Sequence, residues 1–439
     1  MILLAVAARE GSMEGDVRLE RADRNQLRLE VVDLDGLVSA DDRVRSVWAF
    51  VQSLDLTPLH EGVRSREGSA GRPATDPAIL LCLWLYATLE NVGSARELER
   101  LTRAHLAYRW ICGGVSMNYH GLSDFRTGQA AFLDRLLTHS VVALAQAGVT
   151  SVEEVAQDGL RTRAAAGTSS FRRRGTLEAR LAGARERIER LKAEVEADPA
   201  ASRKRSAAAQ ARAARETERR AAAALDALAE IEKRRERAAK EHGKRVRAQR
   251  EPRASTTDPD ARVIKMADGG FRPAYNLQIA MDTESGAVVG VQVSNDSSDK
   301  GLVPPMLEEV VRRLARRPRR WLVDTGYASN KIAEDLGQAG VEAYMPITTG
   351  SQGRPARTPP KKMPAARAWH ERMNRPEGQA IYKRRTLAER VNAGMRNRGL
   401  VRLAVRGSAK VRAVVLWQAV AHNLLCLARH GMTVLPAAA

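Results

Sequence analysis

The sequence predicts a mixed α/β domain with flanking helices, preceded by an all-α domain and interrupted by an antiparallel helical hairpin. Three observations predict it. Residues 41–148 carry helical patterning and helix-start signals throughout. Residues 176–248 switch to an a/d seam and an Ala- and Arg-rich stretch. From 274 onward, two strand-like runs joined by a short turn give way to alternating helices and strands.

Residues 1–40 show little pattern beyond a possible strand at 27–32, and they are expected to be poorly ordered. In the helical region, Thr75, Asp76 and Pro77 form a start signal, a capping residue followed by proline in the first turn. The apolar helix that follows ends near Gly93, and Ser94 with Glu97 forms a capping box that opens the next. Helix, Gly-containing turn and capped helix is compatible with a helix-turn-helix, with Arg96, Arg100 and Arg103 on its second member. A purely structural hairpin reads the same way.

In the hairpin, Leu177, Leu181, Ala184, Ile188, Leu191 and Val195 follow a 4-3-4-3-4 spacing. Pro199 breaks the seam, and a second helix is expected from about Arg203 to Arg247. Residues 161–253 hold 27 Lys/Arg against 14 Asp/Glu, a surplus of 13 out of the chain's net +20. Such an excess fits a phosphate-bearing partner or a solvated charged face.

The α/β region is read over 149–175 and 249–431, followed by a tail at 432–439. Its first strand is expected to end at Asp158. Residues 274–281 and 287–293 form a strand hairpin around the turn 282–286, DTESG. A helix at 302–314, a strand ending at Asp324, a helix at 332–338 and a strand at 341–346 follow. A Gly/Pro/Lys loop spans 347–364, then a helix carries Glu389, and a last apolar helix spans 411–429. With the hairpin set aside, three antiparallel strands precede alternating helices and strands, the topology of the ribonuclease-H-like nucleotidyl transferases.

A net charge of +20 over 439 residues favours a polyanionic partner, most simply nucleic acid. Cys82, Cys112 and Cys426 lie far apart, without metal-ligand spacing, and read as reduced, buried residues of a cytoplasmic protein. The first eleven residues lack a basic leader, and the purely apolar run near 78–87 is too short to span a bilayer.

Tyr382, Arg385, Glu389 and Arg396 form a Y-x2-R-x3-E-x6-R array. On one continuous helix they would sit at about 0, −60, −20 and −40°, a single narrow face. The acid suits a cation, and the phenol and guanidinium groups suit phosphodiester oxygens. Asp158, Asp324 and Glu389, from three separate elements, can bridge two divalent ions for an in-line displacement at phosphorus. Hard oxygen ligands favour Mg2+, with Mn2+ able to substitute. Arg161 and Arg163, just beyond Asp158, are further candidates for DNA phosphates. His120, His370 and His422 lack ligand spacing, and Tyr327 and Ser329 lack a paired base, so no nucleophile triad is read.

Over roughly 45–430 the chain resembles the DDE-type transposases of bacterial insertion sequences, in the superfamily named after insertion sequence five. Residues 155–166, VAQDGLRTRAAA, resemble that family's first-aspartate segment, in which D-G-T-x-x-x-A-x-A is usual. KMADGG at 265–270 and AYNLQ at 274–278 resemble the segment entering its second strand. LVDTGY at 322–327 resembles its second-aspartate segment, and AHNLL at 421–425 its A-x-N-L ending. Residues 72–73 and 123–126 are similar to its N-terminal DNA-binding domain. Two departures are Leu160 in place of threonine and Arg396 where lysine is commoner. The resemblance implies cutting at element ends and joining of the freed 3′-hydroxyls to target DNA. Asp158, Asp324 and Glu389 would be the ligands of two metal ions, and Tyr382, Arg385 and Arg396 would meet DNA phosphates. It also implies a homodimer or higher assembly on paired ends. A nuclease of the same fold that cuts without joining, or an inactive remnant that binds DNA, stays open at this point.

Overall fold

The computed structural model describes residues 33–63, 73–197, 201–242, 251–347 and 358–432, with Val31 and Ser65. The possible strand at 27–32 falls almost wholly outside them, as does most of the loop expected at 347–364.

Helices α1 (Arg43–Gln52), α2 (Thr57–Glu61), α3 (Pro77–Leu89), α4 (Ala95–Ala104), α5 (Leu106–Cys112), α6 (Tyr119–Gly128) and α7 (Ala130–Gln146) come first. The start signal at α3 works as the residue types require: Asp76 accepts from the Ala78 amide at 2.7 Å, and Pro77 occupies the first turn. Ser94 caps α4 by accepting from the Glu97 amide. Helix α3 is buried on nearly all sides, as its apolar composition demands. The arginines of α4 are engaged locally: Arg100 bonds Glu97, Arg103 bonds Glu99, and Arg96 stacks on Tyr119.

Strand β1 (Glu154–Arg163) and the short β2 (Phe171–Arg172) lead into α8 (Arg174–Ala197) and α9 (Ala201–His242). Leu177 of α8 packs with Ala224 and Leu228 of α9, and Arg174 and Arg185 reach across to Glu232 and Glu218. Then come β3 (Ala254–Ser255), β4 (Arg262–Lys265), β5 (Phe271–Asp282), β6 (Val288–Ser294), α10 (Val303–Leu314), β7 (Arg320–Leu322), α11 (Asn330–Gln338) and β8 (Glu342–Tyr344). The chain closes with α12 (Pro364–Met373), α13 (Pro376–Lys383), α14 (Thr386–Asn397) and α15 (Ser408–Arg429).

The six-stranded sheet runs β4-β5-β1-β7-β8, with β6 also on β5. Pairs β4–β5, β5–β6 and β1–β5 are antiparallel, whereas β1–β7 and β7–β8 are parallel. The β5–β6 turn closes because Asp282 accepts from the Ser285 amide and hydroxyl, and Gly286 takes the left-handed conformation at φ 74°.

Two expectations need correcting. Strand β1 does not end at Asp158 but continues to Arg163, because β5 offers it unbroken pairing from Val155↔Asp282 to Arg163↔Ala274. The helix carrying the Tyr382 array is also broken. Tyr382 lies at the end of α13, while Arg385 precedes α14. Around the break the amides of Arg384, Arg385, Leu387 and Ala388 bond three residues back rather than four, tightening the turn and resetting the helical phase.

One hydrophobic core runs from the N-terminal helices into the sheet, and α15 is its spine. Helix α15 is long and apolar enough to cross a membrane, yet it is buried inside the protein. Trp417 stacks between Trp84 and Phe125 at 6.5 and 6.3 Å and donates to the Arg126 carbonyl at 2.9 Å. Asn423 accepts from the Val288 amide at 2.7 Å and donates to its carbonyl at 2.9 Å, anchoring β6. Arg313 of α10, its side chain 1% exposed, joins Asp134 of α7 and Glu309 in a buried charge network that Arg412 of α15 also enters. Cys82, Cys112 and Cys426 are buried free thiols.

Candidate active site

Side chains alternate along β1, so Asp158 shares one sheet face with Leu160 and Thr162, while Gln157, Gly159, Arg161 and Arg163 share the other. Helix α14 packs on the Asp158 face: Asn392 donates to Asp158 Oδ2 at 2.9 Å, and Thr162 bonds the Leu400 carbonyl. The Gly159 amide donates to Asp158 Oδ1 at 2.9 Å. Burial pushes the Asp158 carboxyl up to about 6, and the Asp324 charge adds to the rise, against the Gly159 bond, Arg385 and Asn392.

Asp324 follows the end of β7, the parallel neighbour of β1, and its Oδ1 accepts from the Gly326 amide at 2.8 Å. A residue just past a parallel strand end sits where open α/β sheets present their chemistry. Asp324 is near enough for its charge to act on Asp158.

Arg385 is the hub of the array. Its Nε donates to the Tyr382 hydroxyl at 3.1 Å, its Nη2 to Glu389 Oε1 at 2.5 Å, and its charge reaches Asp158. Glu389 is 59% exposed and turned toward Arg385, one turn before Asn392. Arg396 lies exposed in the last turn of α14, two turns beyond Glu389. Tyr382 and Glu389 are thus joined through Arg385, whose charge reaches Asp158, and Arg396 stands apart along the helix. Among the described residues no three acidic, His or Cys side chains are drawn into a ligand set.

Arg161 lies on the opposite face and is committed there, donating to the Lys265 carbonyl at 2.9 Å and pairing with Asp299 at 3.5 Å. Arg163 is exposed, and its backbone bridges to 401–403. Tyr327 is buried and donates to Gln278 Oε1 at 2.5 Å; Ser329 caps α11 by accepting from the Ile332 amide. His422 is a buried core residue bonded to Gly286 and Arg398, with its pKa pushed down to about 4 by burial and by Arg398. His120 is exposed beside Tyr119, and His370 stands edge-on to Trp369.

Two neighbours of the site were not anticipated. Asn392 could have been found as the residue one turn after Glu389 on the same helix face. Asp299 sits in SSDKG at 297–301, a string that reads as an ordinary turn.

Residues 243–424 match the family described as Transposase DDE domain, and residues 32–128 match Transposase domain (DUF772). The first span contains Asp324 and Glu389 but begins beyond α9, so Asp158 stands outside it. Neither curated proteins nor solved structures return a match. A Transposase DDE domain implies the ribonuclease-H-like fold, with which the mixed sheet and its flanking helices agree. The two transposase regions lie in order along one chain, consistent with a DDE transposase of an insertion sequence.

Proposed function

We propose that this transposase cuts phosphodiester bonds at the ends of its element and joins the freed 3′-hydroxyls to target DNA. The observation that carries the reading is the nearness of Asp158 on β1 to Asp324, just past the parallel strand β7, with Arg385 between Asp158 and Glu389 in charge contact. The donors fit a divalent ion such as Mg2+ or Mn2+: they are hard carboxylate oxygens, and the burial and the Asp324 charge that raise Asp158 are what a bound cation would offset. Asp158 and Asp324 would hold it, and Glu389 of α14 would be the third carboxylate once it leaves Arg385. When bound, two such ions supply charge to activate the attacking oxygen and to stabilise the leaving one.

The chain's own groups do the rest. Asn392 and the Gly159 amide fix the Asp158 carboxylate, and the Gly326 amide fixes that of Asp324. Tyr382 and Arg385 present a hydroxyl and a guanidinium to phosphate oxygens at the cut, while Arg396 meets the backbone farther along. Arg161 is held by Lys265, Ser297 and Asp299, so Arg163 is the freer of that pair for DNA. We read α8 and α9 as a hairpin inserted into the catalytic domain, its basic surplus serving DNA or a second copy. Paired ends call for a dimer or more, working on DNA in the cytoplasm.

The test is cleavage and strand transfer on DNA carrying the element's ends, with Mn2+. Asp158→Ala, Asp324→Ala and Glu389→Ala should each abolish both steps, and full activity in any one removes that residue from the site.

A further inference from the structure

The loop between β6 and α10 lies behind the two aspartates. Asp299, in this loop, has a side chain only 15% exposed. Its Oδ1 accepts from Asn276 Nδ2 at 2.7 Å and Gln278 Nε2 at 3.1 Å, and its Oδ2 lies 3.5 Å from Arg161 Nη2. The amides are fixed in turn, since Gln278 Oε1 accepts from Tyr327 and Gln157, and Trp321 donates to Gln157. Arg234 of α9 pins the same loop through Asn295 and Asp296, at 3.0 and 2.7 Å.

Two glycines make room for this carboxylate. A Cβ on Gly159 would lie 2.8 Å from Asp299 Oδ1. A Cβ on Gly326 would lie 3.4 Å from Asp299 Oδ2 and 3.0 Å from Asp324 Oδ1. Gly159 follows Asp158, and the Gly326 amide bonds Asp324. One rigid carboxylate therefore abuts the backbone beside both aspartates. It does so from the sheet face opposite Asp158, where Gly159 pairs with Gln278.

We propose that Asp299 is a positioning residue, a wedge that sets the separation of Asp158 and Asp324 without itself binding metal or DNA. The proposal rests on the reading of those two aspartates as metal ligands. Residues that orient ligands from outside typically change metal affinity about 10–100-fold when lost. Asp299→Asn keeps the shape and the Oδ1 acceptor, whereas Asp299→Ala removes the wedge.

The experiment is Mn2+ titration of the metal-free full-length chain, following free Mn2+ by electron paramagnetic resonance, with thermal unfolding in EDTA alongside. Asp299→Ala should bind Mn2+ about 10–100-fold more weakly, and Asp299→Asn within about threefold of the parent chain. Parental affinity in Asp299→Ala overturns the proposal, and so does a loss in Asp299→Asn as large as in Asp299→Ala, which would mark a direct ligand. If Asp299→Ala does not fold, Asn276→Ala frees one of the two bonds on the wedge and takes its place. A loss of about tenfold then supports the proposal, and unchanged affinity overturns it. A parent chain that binds Mn2+ no better than Asp324→Ala sinks the underlying site reading instead.

Discussion

Asp158 is held in a charged form that its surroundings oppose, so neutralising it should stabilise the metal-free protein. Its carboxyl is raised from 3.8 to about 6 by burial and by Asp324. A rise of that size corresponds to about 3 kcal/mol. For a raised carboxyl, the stabilising contribution is complete below the unfolded value and is lost as pH rises through the folded one. At pH 8 the metal-free parent therefore carries the whole penalty, and Asp158→Asn removes it. The new amide keeps an acceptor for Gly159, and Asn392, whose buried Oδ1 has no hydrogen-bond partner, can turn over to receive its N–H. Urea unfolding in EDTA at pH 8, 6 and 4 should show Asp158→Asn ahead by about 2–3 kcal/mol at pH 8, the gain shrinking to near zero at pH 4. Mn2+ should raise the stability of the parent at pH 8 but not that of the variant. A variant less stable than the parent at pH 8, or a gain that does not fade in acid, would refute the reasoning.

Other perturbations test the frame around the site. Gly159→Ala drives a methyl against Asp299, Gln278 and Asn276, at 2.8, 2.9 and 3.1 Å, and should cost about 1–3 kcal/mol by denaturant unfolding together with a loss of Mn2+ affinity. Arg313→Ala leaves buried Glu309 with Arg412 at 3.6 Å as its cation and should cost about 3 kcal/mol; pairing Arg313→Met with Glu309→Leu should recover much of it. His422, pushed down to about 4, stays neutral in the fold. Its stabilisation is complete above the unfolded value near 6.5 and is lost as pH falls toward 4. Between pH 7.5 and 5 the parent should lose about 2 kcal/mol more than His422→Gln in matched urea titrations, and equal losses would contradict the buried neutral imidazole.

Much of the architecture was legible because it is written in local chemistry. Asp76 and Ser94 announce helix starts, the DTESG turn announces the β5–β6 hairpin, and strand–helix alternation after 300 announces the parallel strands. Helix phase was not legible at Arg384–Arg385. The residue types there suit a continuous helix, and the break is a change in hydrogen-bond pitch. The length of β1 depends on its partner β5, more than a hundred residues away, which no local window records. The same extension decides the fates of Arg161 and Arg163, since continued alternation turns both away from Asp158. Asp299 was hidden for a related reason. Its role depends on two glycines and two amides from three other segments, and only the fold makes them neighbours.

The burial of α15 has a consequence for how the molecule comes into being. Trp417 completes the packing of Trp84 and Phe125, and Asn423 anchors β6, yet both lie on α15, which follows every strand of the sheet in sequence. The N-terminal helices therefore leave the ribosome with their central apolar surface uncovered, and β1 waits for partners on the far side of two long helices. Loop closure over such spans is slow and must precede its reward. The aspartates can meet only after β5 and β7, beyond the two long helices, have been made. A chain truncated before 408 should thus be lost to aggregation or proteolysis and leave no partial cutting activity behind, so a premature stop silences the element as fully as deleting it.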